Sequence, residues 1–247
     1  MVGDAMQAVI LAGGKGTRLR PYTTVIPKPL MPVGDMPILE IILRQLRSAG
    51  VEQVILACGY MSQMFRAFFQ DGARLGLHID YSLEDKPLGT AGPLALALDR
   101  LEDDFLVMNG DLLTTLDYRG LFADHVQGKA AATISVCTRE VKIDFGVIEV
   151  TAQGRLGGYS EKPVYKLDVS MGANVFNAAK IRRFLEPGKY LDIPQLMMRL
   201  RDAGEIVRCH RAPCYWLDIG RGEDYETANE IFASRRDEFL PPGQGPT

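Results

Sequence analysis

The chain has few of the side chains on which nucleophilic enzymes and metal sites usually depend. Its 247 residues include three histidines, four cysteines and one tryptophan. No histidine falls in a Ser-His-Asp or Cys-His arrangement, and Cys209-His210-x3-Cys214 lacks the CxxC spacing and the second ligand pair of a zinc site. The cysteines do not form a disulfide framework, which is typical of proteins in a reducing compartment such as the cytoplasm.

Long hydrophobic runs and a strong charge imbalance are also missing. No apolar run reaches the roughly 18 residues that span a bilayer, and the N-terminal segment MVGDAMQ lacks the basic and apolar regions of a secretion signal. The formal net charge is −3, which argues against binding to nucleic acid. The sequence therefore predicts a cytoplasmic protein without a membrane or nucleic-acid partner, in which local cations hold any bound phosphate.

Apolar runs and helix-like segments alternate along the chain. Short runs bounded by glycine or charged residues are typical of buried parallel strands, and the segments between them carry apolar stripes at helical spacing. Repeated β-α-β units predict an α/β fold whose mostly parallel sheet is covered on both faces and binds ligands at the C-terminal ends of its strands.

The predicted elements are the strands Ala8–Ala12, Val54–Cys58, Leu77–Leu83 and Phe105–Asn109 and helices over 37–50, 64–72 and Pro93–Leu101, then the strands Ala131–Thr138, Val147–Thr151, Leu156–Ser160, Met171–Phe176 and Ile206–Arg211 and helices over Pro194–Ala203 and from Gly222. Because no repeat or linker interrupts this pattern, residues 1–240 are predicted to form one domain. A flexible tail is predicted at 241–247.

The segment AVILAGGKGTRLR, residues 8–20, is the most informative stretch. A buried strand runs directly into a turn with glycines at 13, 14 and 16, where no side chain shields the backbone N–H groups. Lys15, Arg18 and Arg20 add positive charge, and the combination predicts a polyphosphate site. The spacing matches neither a Walker A loop nor GxGxxG. Taken alone, the segment is equally compatible with a strand-to-loop connection that carries solvated charges.

Four further segments contain a charged residue next to proline, at the end of a predicted strand or within an apolar run. Lys28 lies between two prolines, and Lys162 is held next to proline in Glu161-Lys162-Pro163. Asp111 follows a predicted strand directly, and Asp218 lies within the apolar run WLDIG, where an unpaired carboxylate is costly to bury. Two aspartates at separate strand ends suit Mg²⁺, and placed charge without histidine suits phosphoryl or nucleotidyl transfer. Taken alone, Lys28 is also compatible with a surface turn and Asp111 with an aspartate that caps a turn.

The loop 84–92, EDKPLGTAG, joins a predicted strand to a predicted helix. Its glycines allow a flat base to approach the backbone, and Thr90 is a candidate cap of the helix that follows. If the loop reads a base, Glu84 favours guanine, because an ionised carboxylate only accepts hydrogen bonds and guanine offers two adjacent donors. A solvated acidic loop is the alternative.

Five motifs, LAGGKGTRLRP, PKPLMPV, NGD, EKP and WLDIG, together resemble those of the sugar-1-phosphate nucleotidyltransferases, in the same order and over residues 7–220. The stretch EDKPLGTAGPLALA is most similar to the guanylyltransferase branch that makes GDP-mannose and related GDP-sugars. The resemblance implies a Rossmann-like three-layer α/β sandwich with a mixed, mostly parallel central sheet. It also implies Mg²⁺-dependent transfer of a nucleotidyl group from an NTP, with GTP favoured, to a sugar 1-phosphate.

The resemblance further implies roles for individual residues. Arg18 would grip the leaving pyrophosphate, Lys28 and Lys162 would neutralise the reacting phosphates, and Asp111 and Asp218 would hold Mg²⁺. The nucleotide would contact Leu11, Ala12, Gly13, Gly14, Gly16, Thr17, Glu84, Gly89 and Thr90, and the sugar would contact Gly110, Gly146, Glu161, Lys162 and Asn174. A homo-oligomer is a further expectation, because self-association is common in the family.

The sugar side departs from the family pattern. Where the family usually shows Asn-Ala-Gly-Ile-Tyr-Val, this chain reads Ser170-Met171-Gly172-Ala173-Asn174-Val175, and Asp144-Phe145 precedes Gly146, where tyrosine is common. A heptose, an amino sugar or a cyclitol phosphate is therefore as plausible an acceptor as mannose 1-phosphate. Two other readings stay open: the same reaction with UTP, dTTP or CTP, and a non-catalytic regulatory subunit that binds nucleotide-sugars.

Overall fold

The computed structural model describes residues 6–14, 16–59 and 61–240. Within them the strands are β1 (Met6–Leu11), β2 (Pro32–Val33), β3 (Met36–Pro37), β4 (Val51–Cys58), β5 (His78–Leu83), β6 (Asp104–Asn109), β7 (Leu112–Thr114), β8 (Ala132–Lys142), β9 (Val147–Val150), β10 (Leu156–Ser160), β11 (Val164–Asn177), β12 (Val207–Arg211) and β13 (Trp216–Asp218). The α-helices are α1 (Ile38–Ser48), α2 (Ser62–Phe69), α3 (Tyr118–Gly128), α4 (Ala178–Ile181), α5 (Ile193–Asp202), α6 (Gly222–Ser234) and α7 (Arg236–Phe239). Lys15 and the predicted tail 241–247 lie outside the described residues.

Seven strands form one mixed sheet in the order β12-β8-β11-β6-β1-β4-β5. All neighbours pair in parallel except β11, which runs antiparallel to both β6 and β8. The chain passes from β1 to β4 on one side and later returns to β6 on the other side. The order of strands therefore reverses at β1, and ligand crevices form at the carboxyl ends of strands at such a point.

Alternate residues of the central strands face two separate hydrophobic cores. On β1, Ala8 and Ile10 belong to one core and Val9 to the other, and β6 divides Leu106 and Phe105 in the same way. Residues of α1, α2, α3, α6 and α7 contribute to the first core, and residues of α4 and α5 to the second. This is the predicted three-layer α/β sandwich, and the α/β fold class is confirmed.

Residues 92–100 differ from the sequence-based expectation. They form two short 3₁₀ helices, Gly92–Leu96 and Leu98–Arg100, rather than the predicted α-helix over Pro93–Leu101. Ala91, Leu94 and Ala97, spaced three residues apart, are all fully buried against the sheet. Because a 3₁₀ helix has three residues per turn, this spacing aligns all three on one face.

Two further predictions about helices were incomplete or wrong. Helix α3 was not predicted, because its sequence YRGLFADHVQG has a weak apolar stripe with glycine and aspartate in its interior. Thr90 does not cap a helix formed by the residues after it. Instead its hydroxyl accepts a hydrogen bond of 2.8 Å from the backbone N–H of Ile193, the first residue of α5. No helix in the described part of the chain is long and apolar enough to cross a membrane.

Candidate active site

A cleft of about 480 Å³ opens where β1, β4, β5 and β6 end. It contains all of the residues predicted to bind the nucleotide, together with two of the predicted catalytic residues and one predicted metal ligand. They are Leu11, Ala12, Gly13, Gly14, Gly16, Thr17, Glu84, Gly89 and Thr90, with Arg18, Lys28 and Asp111. The strand ends therefore bring together segments that are far apart in the sequence.

The glycine turn after β1 leaves no room for side chains at two of its positions. A Cβ atom at Gly13 would lie 2.5 Å from Oε1 of Glu84, and Gly16 has a φ of +59°. A Cβ at Gly16 would also lie 3.2 Å from Cβ of Lys28. The hydroxyl of Thr23 fixes the turn by donating a hydrogen bond of 2.7 Å to the carbonyl of Gly16. Glycine at these positions lets the turn approach both Lys28 and the base-side loop, residues 84–92.

Lys28 connects the two predicted metal ligands. Its ammonium forms an ion pair with Oδ2 of Asp111 and lies 3.6 Å from Oδ1 of Asp218. The side chains of Lys28 and Asp111 are 11% and 20% exposed, so water screens this pair weakly. The side chain of Asp218 is 45% exposed, so its pair with Lys28 is screened more. Antiparallel pairing of β13 with β7 brings Asp218 opposite Leu112, next to Asp111.

The surroundings of the two carboxylates fit a divalent cation. Burial, and then the charge of Asp111, raise the pKa of Asp218, while Lys28 and Arg18 oppose the rise. Oδ1 of Asp111 is buried without a hydrogen-bond partner among the described residues, and an unpaired buried oxygen of this kind is costly. No cluster of three or more His, Cys, Asp or Glu side chains suited to a metal occurs among residues 6–14, 16–59 and 61–240. An Mg²⁺ held here would therefore take its other ligands from water and phosphate oxygens.

The base-side loop is held in place at both of its ends. Oε2 of Glu84 accepts a hydrogen bond of 2.9 Å from the backbone N–H of Leu88. Burial raises the pKa of Glu84, and the bond from Leu88 partly opposes this rise. Gly89 has a φ of +78°, and a Cβ there would lie 2.5 Å from the carbonyl oxygen of Leu191.

Sequence reasoning missed the segment that holds this loop, because its contacts are tertiary. Oδ1 of Asp192 accepts hydrogen bonds from the backbone N–H of Thr90 at 3.0 Å and from its hydroxyl at 3.2 Å. The hydroxyl of Tyr190 donates to Oδ2 of Asp192 at 2.7 Å. Both Tyr190 and Asp192 line the cleft. The motif Asp-Ile-Pro signals a helix start at Asp192, but no local signal places that residue beside Thr90.

The residues predicted to bind the sugar do not line this cleft. Gly110 packs beneath it, since its backbone N–H donates to the carbonyl of Leu11 at 3.1 Å. Gly146 and Glu161 both lie next to the hydroxyl of Tyr159, which donates to Oε2 of Glu161 at 3.1 Å.

The other two predicted sugar ligands differ in exposure. Lys162 follows β10 with a φ of +44°, in an exposed segment. Asn174 lies on β11 between β6 and β8. It is only 2% exposed, and its Oδ1 has no partner among the described residues.

Comparisons with known proteins show the family. A family model described as "Nucleotidyl transferase" matches residues 7–235. The chain is 33% identical over 232 residues to a mannose-1-phosphate guanylyltransferase of Mycobacterium tuberculosis, covering 91% of this chain and 64% of that protein. It is 32% identical over 249 residues to a UTP–glucose-1-phosphate uridylyltransferase of Synechocystis sp., covering 93% of this chain and 64% of that protein. The chain thus spans just under two thirds of the length of these curated relatives.

Solved structures show the same fold. HddC from Yersinia pseudotuberculosis superposes with a TM-score of 0.73 at 26% identity, covering 92% of this chain and 99% of that one. The structure of HddC complexed with GMP-PN superposes with a TM-score of 0.70 at 25% identity and the same coverage.

Proposed function

This chain belongs to the nucleotidyl transferase family, as its motifs predict, and on that premise we propose that it transfers a nucleotidyl group from an NTP to a sugar 1-phosphate. Pyrophosphate is the second product. GTP is the preferred donor, and Mg²⁺ is the cofactor.

The placement of Lys28 carries this proposal. One ammonium faces two carboxylates from separate strand ends, beside a turn whose glycines leave the backbone open to a polyphosphate. A regulatory subunit without activity has no need of this arrangement. Arg18, Asp111 and Gly16 line the same cleft, so the predicted phosphate-side residues other than Lys162 lie together.

In the proposed reaction, an oxygen of the sugar 1-phosphate attacks the α-phosphorus in line, and the bond to pyrophosphate breaks. Lys28 neutralises charge on the transferred phosphate, and Arg18 holds the pyrophosphate as negative charge develops on it. Asp111 and Asp218 would hold Mg²⁺, which supplies charge neutralisation at the phosphates. No protein side chain needs to gain or lose a proton, which is consistent with a cleft lining without histidine.

Glu84 supports GTP as the donor. Its carboxylate lies between Gly13 and Leu88 at the base side of the cleft, where it would accept hydrogen bonds from N1–H and the 2-amino group of guanine. The similarity to a guanylyltransferase and to HddC complexed with GMP-PN is consistent with this choice. The uridylyltransferase relative keeps UTP as the second candidate.

The acceptor would contact Gly110, Gly146, Glu161, Lys162 and Asn174. The buried, unpaired Oδ1 of Asn174 is an acceptor without a protein donor among the described residues, which is consistent with a hydroxyl or a water as its partner. The family pattern that the sequence resembles usually has an aromatic residue here, so the acceptor need not be mannose 1-phosphate.

The proposal is tested with a matrix of nucleotides and sugar phosphates. GTP, UTP, dTTP, CTP and ATP are each combined with Mg²⁺ and a panel of hexose, heptose, amino-sugar and cyclitol phosphates, and pyrophosphate release is measured. We expect release with GTP and at least one acceptor, and loss of the activity with EDTA. No release in any well, from a folded protein, would contradict the proposal and favour the regulatory subunit.

Two expectations complete the proposal. The four cysteines are free thiols in the structure, which is consistent with a reaction in the cytoplasm. The protein is proposed to form a homo-oligomer, and its mass by light scattering tests this.

A further inference from the structure

A second cavity adjoins the cleft and has no role in the reaction described so far. Its volume is about 300 Å³, and it shares Arg18 and Gly220 with the cleft. Asp218 also lines it, so the cavity lies directly beside a candidate metal ligand.

Three arginines line this cavity, Arg18, Arg139 and Arg221. Trp216 forms part of its wall, and the guanidinium carbon of Arg139 lies 5.4 Å from the centroid of the indole ring. The ring is held in place because the indole N–H donates to the carbonyl of Met171 at 2.7 Å. The guanidinium of Arg139 and the indole ring therefore lie side by side at the wall.

Within the part of the chain that the structure describes, no carboxylate forms an ion pair within 4.0 Å with these three arginines, although the charge of Arg18 acts on Asp218. The ion pairs within 4.0 Å that the described residues form involve other arginines. Asp224 lies in the cavity, but its Oδ2 accepts from the backbone N–H of Gly220 at 3.1 Å and of Arg221 at 2.8 Å. Asp218 is directed to Lys28. With three arginines against two aspartates in its lining, the cavity favours an anion as occupant.

We propose that Arg139 and Arg221, beside the ring of Trp216, form an anion subsite that binds a phosphate group next to the candidate metal ligands Asp111 and Asp218. Guanidinium forks bind phosphate in two parallel hydrogen bonds, and Arg18 connects the subsite to the phosphates in the cleft. The phosphate comes from one of two sources: the departing pyrophosphate, or a second phosphate carried by the sugar-1-phosphate acceptor. The reaction at Lys28 is taken from the proposed function, on which this inference rests.

Trp216 allows the subsite to be tested without turnover, because it is the only tryptophan of the chain. The full-length protein is titrated with pyrophosphate, with hexose 1-phosphate and with hexose 1,6-bisphosphate, and the midpoint of the change in tryptophan emission is measured. We expect saturation, with Arg139→Gln and Arg221→Gln each weakening binding about tenfold. Arg139→Lys keeps the positive charge but loses the paired donors of the guanidinium, so it should weaken binding less than Arg139→Gln does. Arg155→Gln, which removes one charge at the turn between β9 and β10, is the matched control.

The titrations also distinguish the two sources. If the subsite takes pyrophosphate, the variants weaken pyrophosphate binding, and the bisphosphate binds no more tightly than the monophosphate. If it takes a second phosphate of the acceptor, the bisphosphate binds more tightly, and Arg139→Gln removes that advantage. Equal weakening by Arg155→Gln and Arg139→Gln, or no saturable change with any of the three anions, would overturn the inference. The nucleotide matrix fails or succeeds independently of these titrations, so the two proposals are separable.

Discussion

Lys28 connects the two carboxylates at the edge of the cleft, those of Asp111 and Asp218. Its ammonium lies beside these two carboxylates, and its charge opposes the rise that burial causes in the pKa of Asp218. The flanking Pro27 and Pro29 restrict the backbone, so little conformational entropy is lost when the ammonium is held in place. A lysine here can thus serve both the stability of the site and the neutralisation of a substrate phosphate.

Replacing this lysine should separate turnover from folding. Lys28→Met keeps most of the side-chain volume but removes the charge, so we expect kcat to fall by roughly 100- to 1,000-fold. Pyrophosphate release measures the effect, and circular dichroism checks the fold. Lys166→Met, at a lysine that is 71% exposed on β11, is the control for loss of one charge. A kcat within threefold of the unaltered protein would exclude Lys28 from the reaction.

Replacement of Glu84 should change the preference for GTP over UTP. Glu84→Gln replaces an acceptor oxygen with a donor, so one of the two guanine donors loses its partner. We expect the ratio of kcat/KM for GTP to that for UTP to fall about tenfold, as for one unmet hydrogen bond to a charged group. Asp85→Asn, at the exposed neighbour, should leave the ratio unchanged. An unchanged ratio in Glu84→Gln would mean that another group reads the base.

Glu84 should also make the stability of the folded protein depend on pH. Burial raises the pKa of Glu84, so the folded state holds this proton more tightly than the unfolded chain does. Stability therefore falls as pH rises above the ordinary carboxyl pKa of about 4.3. Relative to the unaltered protein, Glu84→Gln should be more stable at pH 7, and the difference should vanish below about pH 4. Urea unfolding across this range measures it, and a difference that grows towards low pH would refute the assignment.

At the scale of elements, two loops pair through their backbones to form one wall of the cleft. The carbonyl of Leu191 accepts hydrogen bonds from the backbone N–H groups of Ala91 at 2.8 Å and Gly92 at 3.0 Å, and the N–H of Leu191 donates to the carbonyl of Leu88. The start of α5 is thereby connected to the base-side loop. A shift of either loop would displace Gly89 and Thr90 from the cleft that they line.

Two glycines in these loops form a matched pair for testing this connection. Gly89 and Gly188 have φ values of +78° and +73°, but only Gly89 faces a close neighbour, while nothing lies within 4 Å of a Cβ at Gly188. We expect Gly188→Ala to cost about 1 kcal/mol for the left-handed conformation alone, and Gly89→Ala to cost about 2 kcal/mol or more. Gly89→Ala should also raise KM for the nucleotide. Equal unfolding free energies for the two variants would show that the loops are not tightly packed.

At the scale of the molecule, the reversal of strand order at β1 places the cleft. Strands β4 and β6 flank β1 on opposite sides, so the turn after β1 has open space above it. The two cores on either face of the sheet hold this arrangement. That residues 1–240 form one domain stays a prediction.

The buried His125 is expected to lower the stability of the folded protein at acid pH. Nδ1 of His125 lies 2.9 Å from the hydroxyl of Thr133, and Nε2 lies 3.2 Å from Oδ1 of Asp104, joining α3 to β8 and β6. Burial lowers the pKa of His125, and the charge of Asp104 only partly opposes this. The unfolded chain therefore binds this proton more readily, so stability is lost as pH falls below about 6.5.

We expect His125→Gln to remove part of this loss, although it lowers stability at pH 7 because a packed ring is lost. Thermal unfolding between pH 5 and 8 measures the slope. His78→Gln, on β5 and 64% exposed, should behave like the unaltered protein. A slope that is unchanged in His125→Gln would assign the acid sensitivity to the carboxylates instead.

The amino-acid sequence by itself determined the local features of this protein. Apolar runs specified the seven strands of the large sheet but not β2, β3, β7 or β13, and glycines at 13 and 16 specified the turn after β1. Motif order specified the family, which the comparisons confirm. These features are local because they depend on backbone sterics and on which side chains can be buried.

Only the tertiary structure decided which distant groups meet. The pairing of β13 with β7 brings Asp218 to Asp111, and the packing of α5 brings Asp192 to Thr90. The spacing of Ala91, Leu94 and Ala97 became a 3₁₀ helix because the sheet required one fully buried face. Contacts of this kind depend on strand order and loop paths, which no short segment of sequence encodes.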